Sequence, residues 1–301
     1  MHGHIAVVGS LNRDTVVQVN GLPAPGETVI GSAVSQHRGG KGANQAIAAA
    51  RLGREVALIG KVGADSDGTG YLRALVQEGV DVDGVQVDID TPTGQAFIMV
   101  DRDGENSIAV VPGANARVTA EDVARATTME GARIVLAQLE VPLDAVKAAA
   151  RLCTGTFILN PAPAQPLGPE LLALVDVLVV NRNELALLSG STEARTSRDV
   201  ITQANGLALD GAVVVTLGAQ GAVAVADGAA KEVASPKVAT VDTTGAGDAF
   251  CGGLADALAR NEPLEDAVRW AVGVGAVATT KVGAQSALPT STRVQSLIGN
   301  A

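Results

Sequence analysis

The residues best suited to chemistry form a glycine-rich turn, Gly245-Ala246-Gly247-Asp248, which opens into a segment of helical spacing from Ala249 to Arg260. Glycines let the backbone turn sharply, and the free N–H groups of the helix start then converge where the helix dipole favours negative charge. Such a turn can hold a phosphoryl group, and the Asp248 carboxylate could accept a proton from an alcohol placed in line with it. For these four residues alone, an ordinary tight turn with an aspartate cap is the alternative interpretation.

A second group of polar residues stands near the amino end. Asn12 and Asp14 follow the first predicted strand, at the edge where parallel sheets usually bind ligands. A carboxylate pairs well with a vicinal diol, whereas local caps in a turn are the alternative interpretation. Gly40, Lys41 and Asn44 open a predicted helix, where glycine lets a small ligand approach the backbone and both side chains supply donors. Because a glycine follows Lys41 and none stands at the required earlier spacing, a Walker A loop is excluded.

Short runs rich in Val, Ile and Leu alternate with longer Ala-rich segments of helical spacing. This pattern predicts an α/β fold, with a mostly parallel central sheet covered by helices on both faces. The predicted strands, apolar throughout as buried strands should be, are Ile5 to Val8, Val56 to Ile59, Ile134 to Ala137, Phe157 to Leu159, Val177 to Val180 and Val213 to Thr216. The predicted helices are Lys41 to Leu52, Asp67 to Gln77, Pro142 to Leu152, Ala249 to Arg260 and Leu264 to Thr280.

Two stretches, 15–34 and 95–111, alternate apolar and polar residues more nearly at the strand period. Asp103-Gly104 divides the second stretch and is a good hairpin signal. We expect these stretches to be insertions that form a small antiparallel β lid. The lid would stand beside the main body of one α/β domain spanning residues 1–301.

Composition and charge exclude several classes of protein. The 22 basic and 32 acidic residues are scattered, so nucleic acid is not expected as a partner, and 2 % aromatic residues are too few for a base-stacking platform. The two cysteines, Cys153 and Cys251, lie far apart and suggest neither a disulfide framework nor a zinc site.

The chain also lacks the patterns of membrane insertion and export. The longest uncharged apolar run, between Asp210 and Asp227, is too short and too polar to span a bilayer. The start, Met1 to His4, has no signal-peptide layout before the first strand. A cytoplasmic protein with no membrane partner is therefore expected.

The longer string Asp242-Thr243-Thr244-Gly245-Ala246-Gly247-Asp248 resembles the carboxy-terminal signature of the ribokinase-like family of carbohydrate kinases. The family's amino-terminal signature is matched by the run from Arg38 to Ala46, and the resemblance covers nearly the whole chain in the right order. It implies ATP-dependent phosphorylation of a sugar primary hydroxyl, with D-ribose to D-ribose 5-phosphate as the first expectation. A kinase for another furanose, a hexose or a nucleoside is one alternative, and a non-catalytic sugar or nucleotide sensor is another.

The resemblance also assigns roles to individual residues. It makes Asp248 the general base and the backbone amides of Gly245, Ala246 and Gly247 the anion hole. The implied sugar contacts are Asn12, Asp14, Gly40, Lys41, Asn44 and Glu140. The implied nucleotide contacts are Asn181, Thr216, Gly218 and Gly221, and Glu184 would place Mg²⁺ through water. A monovalent cation, K⁺, would be surrounded by Asp242, Thr244 and the carbonyl oxygens of Ala278, Lys281 and Gly283.

Two positions depart from the family pattern. Ser286 stands one place earlier than the serine of the cation segment, and Val272 lies where a polar adenine contact is common. In the lid, Ala96, Ile98 and Ile108 are small or aliphatic, which suits a small sugar better than a stacked purine. The half-apolar lid strands and the habit of the family further predict a homodimer built through the lids.

Overall fold

The computed structural model describes residues 4–298, so residues 1–3, which enter the signal-peptide expectation, lie outside the described residues. The strands in this range are β1 Ile5–Val8, β2 Asn12–Gln18, β3 Ala33–Gly39, β4 Val56–Gly63, β5 Val80–Asp81, β6 Val85–Asp88, β7 Gly94–Val100, β8 Asn106–Val111, β9 Ile134–Gln138, β10 Thr156–Asn160, β11 Val177–Asn181, β12 Ala212–Thr216, β13 Ala222–Ala226 and β14 Ala229–Val233. The α-helices are α1 Lys41–Arg51, α2 Ser66–Gln77, α3 Ala120–Arg125, α4 Leu143–Leu152, α5 Pro169–Leu172, α6 Arg182–Ser189, α7 Ser197–Asn205, α8 Ala246–Ala259, α9 Leu264–Ala278 and α10 Ser291–Ile298.

The central sheet has the order β14-β13-β12-β11-β10-β9-β1-β4-β5, and β6 also pairs with β4. Neighbouring strands from β12 to β5 run parallel, while β12, β13 and β14 pair antiparallel. The predicted fold class, a mostly parallel sheet with a separate small sheet, is confirmed. From β1 the chain passes to β4 on one side, and it later returns to β9 on the other side. Strands β1 and β9 therefore flank a topological switch point, the usual place for a ligand in such a sheet.

The sheet separates two apolar layers of the core. Ile5 and Val7 of β1 face the layer that contains α1, α8 and α9, whereas Ala6 and Val8 face the layer that contains α4. Alternate residues of one strand thus enter different layers, which explains why the strand is apolar at every position. No helix within residues 4–298 combines the length and the apolar character that crossing a membrane would require.

Helices α1 and α8 cross at close range on one face of the sheet. A Cβ atom at Gly252 of α8 would lie 2.5 Å from the Cβ of Ala48 and 2.8 Å from the carbonyl oxygen of Gln45. Only glycine permits this approach, because any side chain would push the two helices apart. The contact lies one helical turn after Asp248, so it brings the first turns of both helices together.

The lid is a four-stranded sheet of order β3-β2-β7-β8. Its two outer pairs are antiparallel as predicted, and the central pair, β2 with β7, is parallel. The turn between β7 and β8 contains Gly104 with φ 83°, which fits the predicted hairpin. Residues 19–32 of the first predicted stretch form a connection instead of a strand, and this segment contains Pro23, Pro25 and Gly26, which disfavour a continuous ladder. The division of residues 1–301 into a single domain with this lid stays a prediction.

Candidate active site

Most of the predicted site residues meet at the carboxyl edge of the central sheet, beside the switch point. Asp248 lies in the first turn of α8 and Asn44 in the first turn of α1, while Glu140 follows β9 by two residues. Asn12 and Asp14 belong to the first lid strand, β2, because the chain turns into the lid at once after β1. The main body and the lid therefore both contribute to the same site.

Asp248 is a buried carboxylate with an amide donor on each oxygen. Only 8 % of the residue is exposed. Its Oδ2 accepts a hydrogen bond from Nδ2 of Asn44 at 2.9 Å, and its Oδ1 accepts one from Nε2 of Gln45 at 3.0 Å. Burial raises the pKa of Asp248, while the nearby charge of Lys41 and the two amide bonds oppose the rise. A raised pKa makes the carboxylate a better proton acceptor, as a general base requires.

Gln45 is a site residue to which the sequence analysis gave no role. It is fully buried, its Oε1 accepts from Nε2 of Gln138 at 2.6 Å, and its Nε2 also reaches Oδ1 of Asn160 at 3.2 Å. Asn160 in turn donates to the carbonyl oxygen of Val179 at 3.0 Å. The available signal was a glutamine on an otherwise apolar helix face, because a buried amide must find partners.

The amino terminus of α1 is closed by Glu140. Its Oε2 accepts from the backbone N–H of Lys41 at 3.0 Å and from the Ser10 hydroxyl at 2.5 Å. A carboxylate at this end compensates the helix dipole. Gly40 has φ 90°, and a Cβ there would lie 2.8 Å from the N atom of Asn12, so glycine is required where β1, the lid and α1 converge. Glu140 thus has a structural task, and its predicted contact with a sugar stays a prediction.

Three carboxylates lie near enough to Lys41 to act on its charge. Burial alone would lower the pKa of Lys41, but the charges of Asp248, Glu140 and Glu184 outweigh it and raise that pKa. Burial raises the pKa of Asp14 to about 7, and the charges of Glu140 and Asp248 add to the rise while Lys41 opposes it. The site therefore holds more negative charge than its one lysine can balance.

The amide of Asn12 is fixed by a second asparagine, Asn115, which is 1 % exposed. Nδ2 of Asn115 donates to Oδ1 of Asn12 at 2.7 Å, and Oδ1 of Asn115 accepts from the backbone N–H of Leu11 at 2.9 Å. Because the Asn12 oxygen is used in this way, its Nδ2 group is the part left to donate to a ligand. No local pattern in the sequence marks Asn115 as a partner of Asn12, since it lies about a hundred residues away on a short 3₁₀ turn.

A cavity of about 590 Å³ lies between the loop after β12, the segment 235–240 and helices α8 and α9. Thr216, Gly218 and Gly221 line it, as do Ala246 and Gly247 of the glycine-rich turn. Its walls are largely apolar, with Val238, Phe250 and Val272 among them. Val272 thus offers an aliphatic surface at the position where the family pattern has a polar group.

A smaller cavity of about 180 Å³ shares Thr216 and Gly247 with the large one and ends at Asp248. Lys41, Glu184 and Asn181 also line it. It therefore links the large cavity to the buried Asp248 carboxylate past one cation, Lys41, and one acid, Glu184. Such a passage suits a polyphosphate and its metal ion.

Asn181 and Glu184 form a reciprocal cap at the start of α6. The N–H of Glu184 donates to Oδ1 of Asn181 at 2.9 Å, and the N–H of Asn181 donates to Oε2 of Glu184 at 2.8 Å. Within residues 4–298, no group of three or more His, Cys, Asp or Glu side chains is arranged to hold a metal ion. A Mg²⁺ ion that keeps waters and phosphate oxygens as ligands needs no such group. The role of Glu184 toward Mg²⁺ stays a prediction.

Asp242 joins the glycine-rich turn to the segment after α9. Its Oδ1 accepts from the N and Oγ1 atoms of Thr244 at 2.9 and 2.7 Å, and its Oδ2 accepts from the N–H of Gly283 at 2.7 Å. Burial alone would raise the pKa of Asp242, but these hydrogen bonds hold it below the ordinary value. The carbonyls of Ala278, Lys281 and Gly283, predicted to surround K⁺, lie in and beside this segment.

The start of α8 has the geometry expected of an anion-binding turn. Gly245 adopts φ 74°, in the left-handed region, and precedes the first helical residue. The N–H of Ala246 donates to the carbonyl oxygen of Thr243 at 3.1 Å, so this amide is engaged within the turn. The N–H groups of Gly247 and Asp248, in the first helical turn, have no partner within their own helix. Of the three amides predicted to form the anion hole, those of Gly245, Ala246 and Gly247, the Gly247 amide is thus placed to bind an anion, and the role of the three stays a prediction.

The fold and this arrangement of residues are those of a carbohydrate kinase, and the sequence matches the pfkB family of carbohydrate kinases over residues 3–291. The chain belongs to this family. It is 39 % identical to a ribokinase of Haemophilus influenzae over 297 residues, covering 96 % of each chain.

Two solved structures extend the likeness to three dimensions. The ribokinase of Thermotoga maritima has a TM-score of 0.89 at 33 % identity, covering 99 % of this chain and 100 % of its own. A ribokinase of Arabidopsis thaliana, solved in complex with ribose and ATP, has a TM-score of 0.87 at 31 % identity and 99 % coverage of both chains.

Replacing Asp14 by Asn should stabilise the protein above neutral pH. The pKa of Asp14 is raised from an ordinary 3.8 to about 7, so ionising it costs free energy in the folded state only. The cost is absent below pH 3.8 and complete above pH 7, and removing it should raise the free energy of unfolding at pH 8 by about 4 kcal/mol, the worth of a shift of roughly three pKa units. Urea unfolding of both forms at pH 8 and pH 4 measures this, and an equal difference at both values would contradict it.

Proposed function

We propose that the protein transfers the γ-phosphoryl group of ATP to the primary hydroxyl of D-ribose, giving D-ribose 5-phosphate and ADP. The observation that carries this proposal is the placement of the buried Asp248 carboxylate in the passage from the large cavity, near the lid residue Asp14. Chains of known ribokinases that match nearly the full length of this one support the choice of sugar.

Asp248 accepts the proton of the sugar hydroxyl as the oxygen attacks the γ-phosphorus. One oxygen–phosphorus bond forms, the bond to the ADP oxygen breaks, and the proton on Asp248 later passes to solvent. The amides at the start of α8 and the Lys41 ammonium stabilise the charge that develops on the transferred group. Glu184 would help to hold Mg²⁺ through water, and the bound ion would further neutralise phosphate charge.

The sugar lies between β2 and the first turn of α1. Asp14 accepts hydrogen bonds from a vicinal diol, Asn12 donates through Nδ2, and Gly40, Lys41, Asn44 and Glu140 complete the pocket. The lid excludes water, which would otherwise compete as the acceptor. Deprotonated Asp14 is the better diol acceptor, so sugar binding should strengthen as the pH rises through about 7.

The nucleotide occupies the large cavity, with its phosphates reaching past Gly247 toward Asp248. Thr216, Gly218 and Gly221 contact it from the loop after β12, and Asn181 lies beside the phosphate passage. The adenine ring packs against aliphatic surface such as Val272. K⁺ would be held by the segment after α9 that is hydrogen-bonded to Asp242. This segment packs directly against the glycine-rich turn, since a Cβ at Gly245 would lie only 3.0 Å from Ala284. A bound K⁺ could therefore stiffen the turn.

Asp248→Asn should lower kcat on the order of 10²–10⁴, the usual contribution of a positioned base, while ATP binding stays unchanged. Steady-state kinetics and isothermal titration with ATP measure the two effects. Asp256→Asn is the matched control, since Asp256 is also buried in α8 but pairs with Arg54 and Arg260 away from the site. It should lower the melting temperature and leave kcat near normal. A near-normal kcat in Asp248→Asn would remove this residue from the mechanism.

ADP release should be strongest with D-ribose and should rise when K⁺ is added. The test is a coupled assay with Mg-ATP across ribose, deoxyribose, fructose, hexoses and nucleosides, each with and without K⁺. Another preferred acceptor would keep the mechanism and change the substrate. If the rate is the same with K⁺ and in the absence of all monovalent cations, the proposed cation site is wrong.

Two alternatives have distinct signatures in the same assay. A nucleoside kinase needs room for a base, but Ala96, Ile98 and Ile108 lie on the face of the lid that carries Asp14 and offer only small or aliphatic surface. A sensor without catalysis would bind ATP and sugar with no ADP release. The buried, doubly hydrogen-bonded Asp248 favours catalysis over that alternative.

A homodimer through the lids is part of the proposal, as is a cytoplasmic location where ATP is available. Ile108 and Val110 are 55 % and 48 % exposed on the face of the lid that carries Asp14, so a partner lid could cover them. Light scattering across the assay concentrations should give twice the chain mass, and a monomer mass would contradict it. Recovery of the protein from a membrane or secreted fraction would contradict the location.

A further inference from the structure

A chain of hydrogen bonds runs from the lid to Asp248 through the segment after α9. The Tyr71 hydroxyl donates to the carbonyl oxygen of Gly39 at 2.5 Å. Nε2 of Gln285 donates to the Tyr71 oxygen at 2.7 Å and to Oδ1 of Asn44 at 2.9 Å. Nδ2 of Asn44 then donates to Asp248. Gln285 is thus the link between a backbone carbonyl of the lid and the carboxylate.

The direction of every bond in this chain follows from its two ends. A backbone carbonyl and a carboxylate can only accept hydrogen bonds. Tyr71 must therefore donate to Gly39, which leaves its oxygen to accept and requires the NH₂ group of Gln285 to face it. That NH₂ group also faces Asn44, so Asn44 must turn its oxygen toward Gln285 and its NH₂ group toward Asp248.

The backbone of Gln285 is itself held in place. Nη1 of Arg51, at the end of α1, donates to the carbonyl oxygens of Gln285 and Leu288 at 2.7 and 2.9 Å. The other side of the same guanidinium forms two bonds to the carboxylate of Glu78, at 2.8 and 2.7 Å. A planar fork with five donors suits this task, since it fixes the loop and a neighbouring helix together.

We propose that Gln285 is a positioning residue that sets the amide orientation of Asn44 and thereby the basicity and position of Asp248. The proposal rests on the proposed function, in which Asp248 is the base. Gln285 does not touch the reacting atoms in this scheme. It acts because its two N–H groups leave Asn44 a single orientation that satisfies both neighbours.

Loss of this orientation has a defined electrostatic effect. The bond from Asn44 favours the ionised form of Asp248 and lowers its pKa. Without the Gln285 donor the Asn44 oxygen loses its partner and the amide is free to turn away from Asp248. The pKa of Asp248 would then rise, so the carboxylate would be protonated, and inactive as a base, up to a higher pH. The other titratable groups near Asp248 are Asp14 of β2, Lys41 of α1, Tyr71 of α2, Glu140 after β9, Glu184 of α6 and Cys251 of α8. Of these, Tyr71 loses a hydrogen bond when Gln285 is replaced, which raises its already high pKa further and leaves it neutral over the range of the measurement.

The test uses Gln285→Glu, which replaces the donor by an acceptor, and Gln285→Met, which removes the polar group at similar length. The readout is the pH dependence of kcat at saturating sugar and ATP. Under these conditions kcat reports only groups in the enzyme–substrate complex, so the titration of Asp14 in the free enzyme does not affect it. We expect the acid limb to move up by about one pH unit in Gln285→Met, the effect of losing one charge-assisted hydrogen bond. Gln285→Glu should shift it further, because its added negative charge also repels ionised Asp248, so Gln285→Met is the variant that decides the positioning role. At a pH on the acid limb kcat should fall up to about tenfold, as follows from a shift of one pH unit, and KM for ATP should stay constant.

Gln203→Met is the matched control, because the Gln203 amide donates to the carbonyl oxygen of Thr192 far from the site. It should leave the acid limb in place. If both Gln285 variants melt at a lower temperature but keep the wild-type acid limb, Gln285 is only structural and the proposal fails.

A second measurement separates this proposal from the proposed function. Carbon-13 NMR titration of the Asp248 carboxyl group in the wild type, in Gln285→Met and in Tyr71→Phe needs no turnover. We expect a raised pKa in Gln285→Met and a smaller rise in Tyr71→Phe, which frees Gln285 to rotate. Identical titrations in all three would overturn the positioning role, whatever acceptor the enzyme uses. A rise seen in a protein that turns over no acceptor would keep that role and remove the proposed reaction.

Discussion

The site depends on a carboxylate being held in the interior by amide donors. Burial of Asp248 would be costly without partners, and the structure supplies one donor to each oxygen from successive residues of α1. This is possible only because α1 and α8 cross closely at Gly252, where any side chain would collide with Ala48 or with the backbone of Gln45. A packing constraint in the core therefore sets the geometry of the chemistry at the sheet edge.

The same region holds an excess of negative charge around Lys41. The charges of Glu140 and Asp248 raise the pKa of Asp14 and that of Lys41, and the charge of Glu140 adds to the raised pKa of Asp248, so the folded chain bears an electrostatic cost at neutral pH. Glu140 offsets part of this cost, because its carboxylate accepts from the first N–H of α1 and compensates the helix dipole. A sugar that donates hydrogen bonds and a metal–nucleotide complex would both relieve this repulsion, which is the usual trade between stability and function at a site.

The segment after α9 connects parts of the site that lie far apart in the chain. Asp242 binds it through Gly283, Arg51 binds it at Gln285 and Leu288, and Gln285 reaches Asn44 and Tyr71. The segment therefore touches the glycine-rich turn, the first turn of α1 and the helix below the lid. Movement at any of these places would be transmitted to the others through hydrogen bonds instead of loose packing.

The sequence by itself determined the central strands, the main helices, the β lid and the family, because apolar period, turn residues and contiguous motifs are local signals. The turn formed by Asp248 and the glycines before it could be predicted from the sequence, since a turn and the helix start that follows it are made by neighbouring residues. The parallel pairing of β2 with β7, the approach at Gly252 and the roles of Gln45, Asn115 and Gln285 were decided by the tertiary structure alone. Each depends on partners distant in the chain, and an amide side chain carries no signal of its orientation until its buried neighbours dictate which atom must donate.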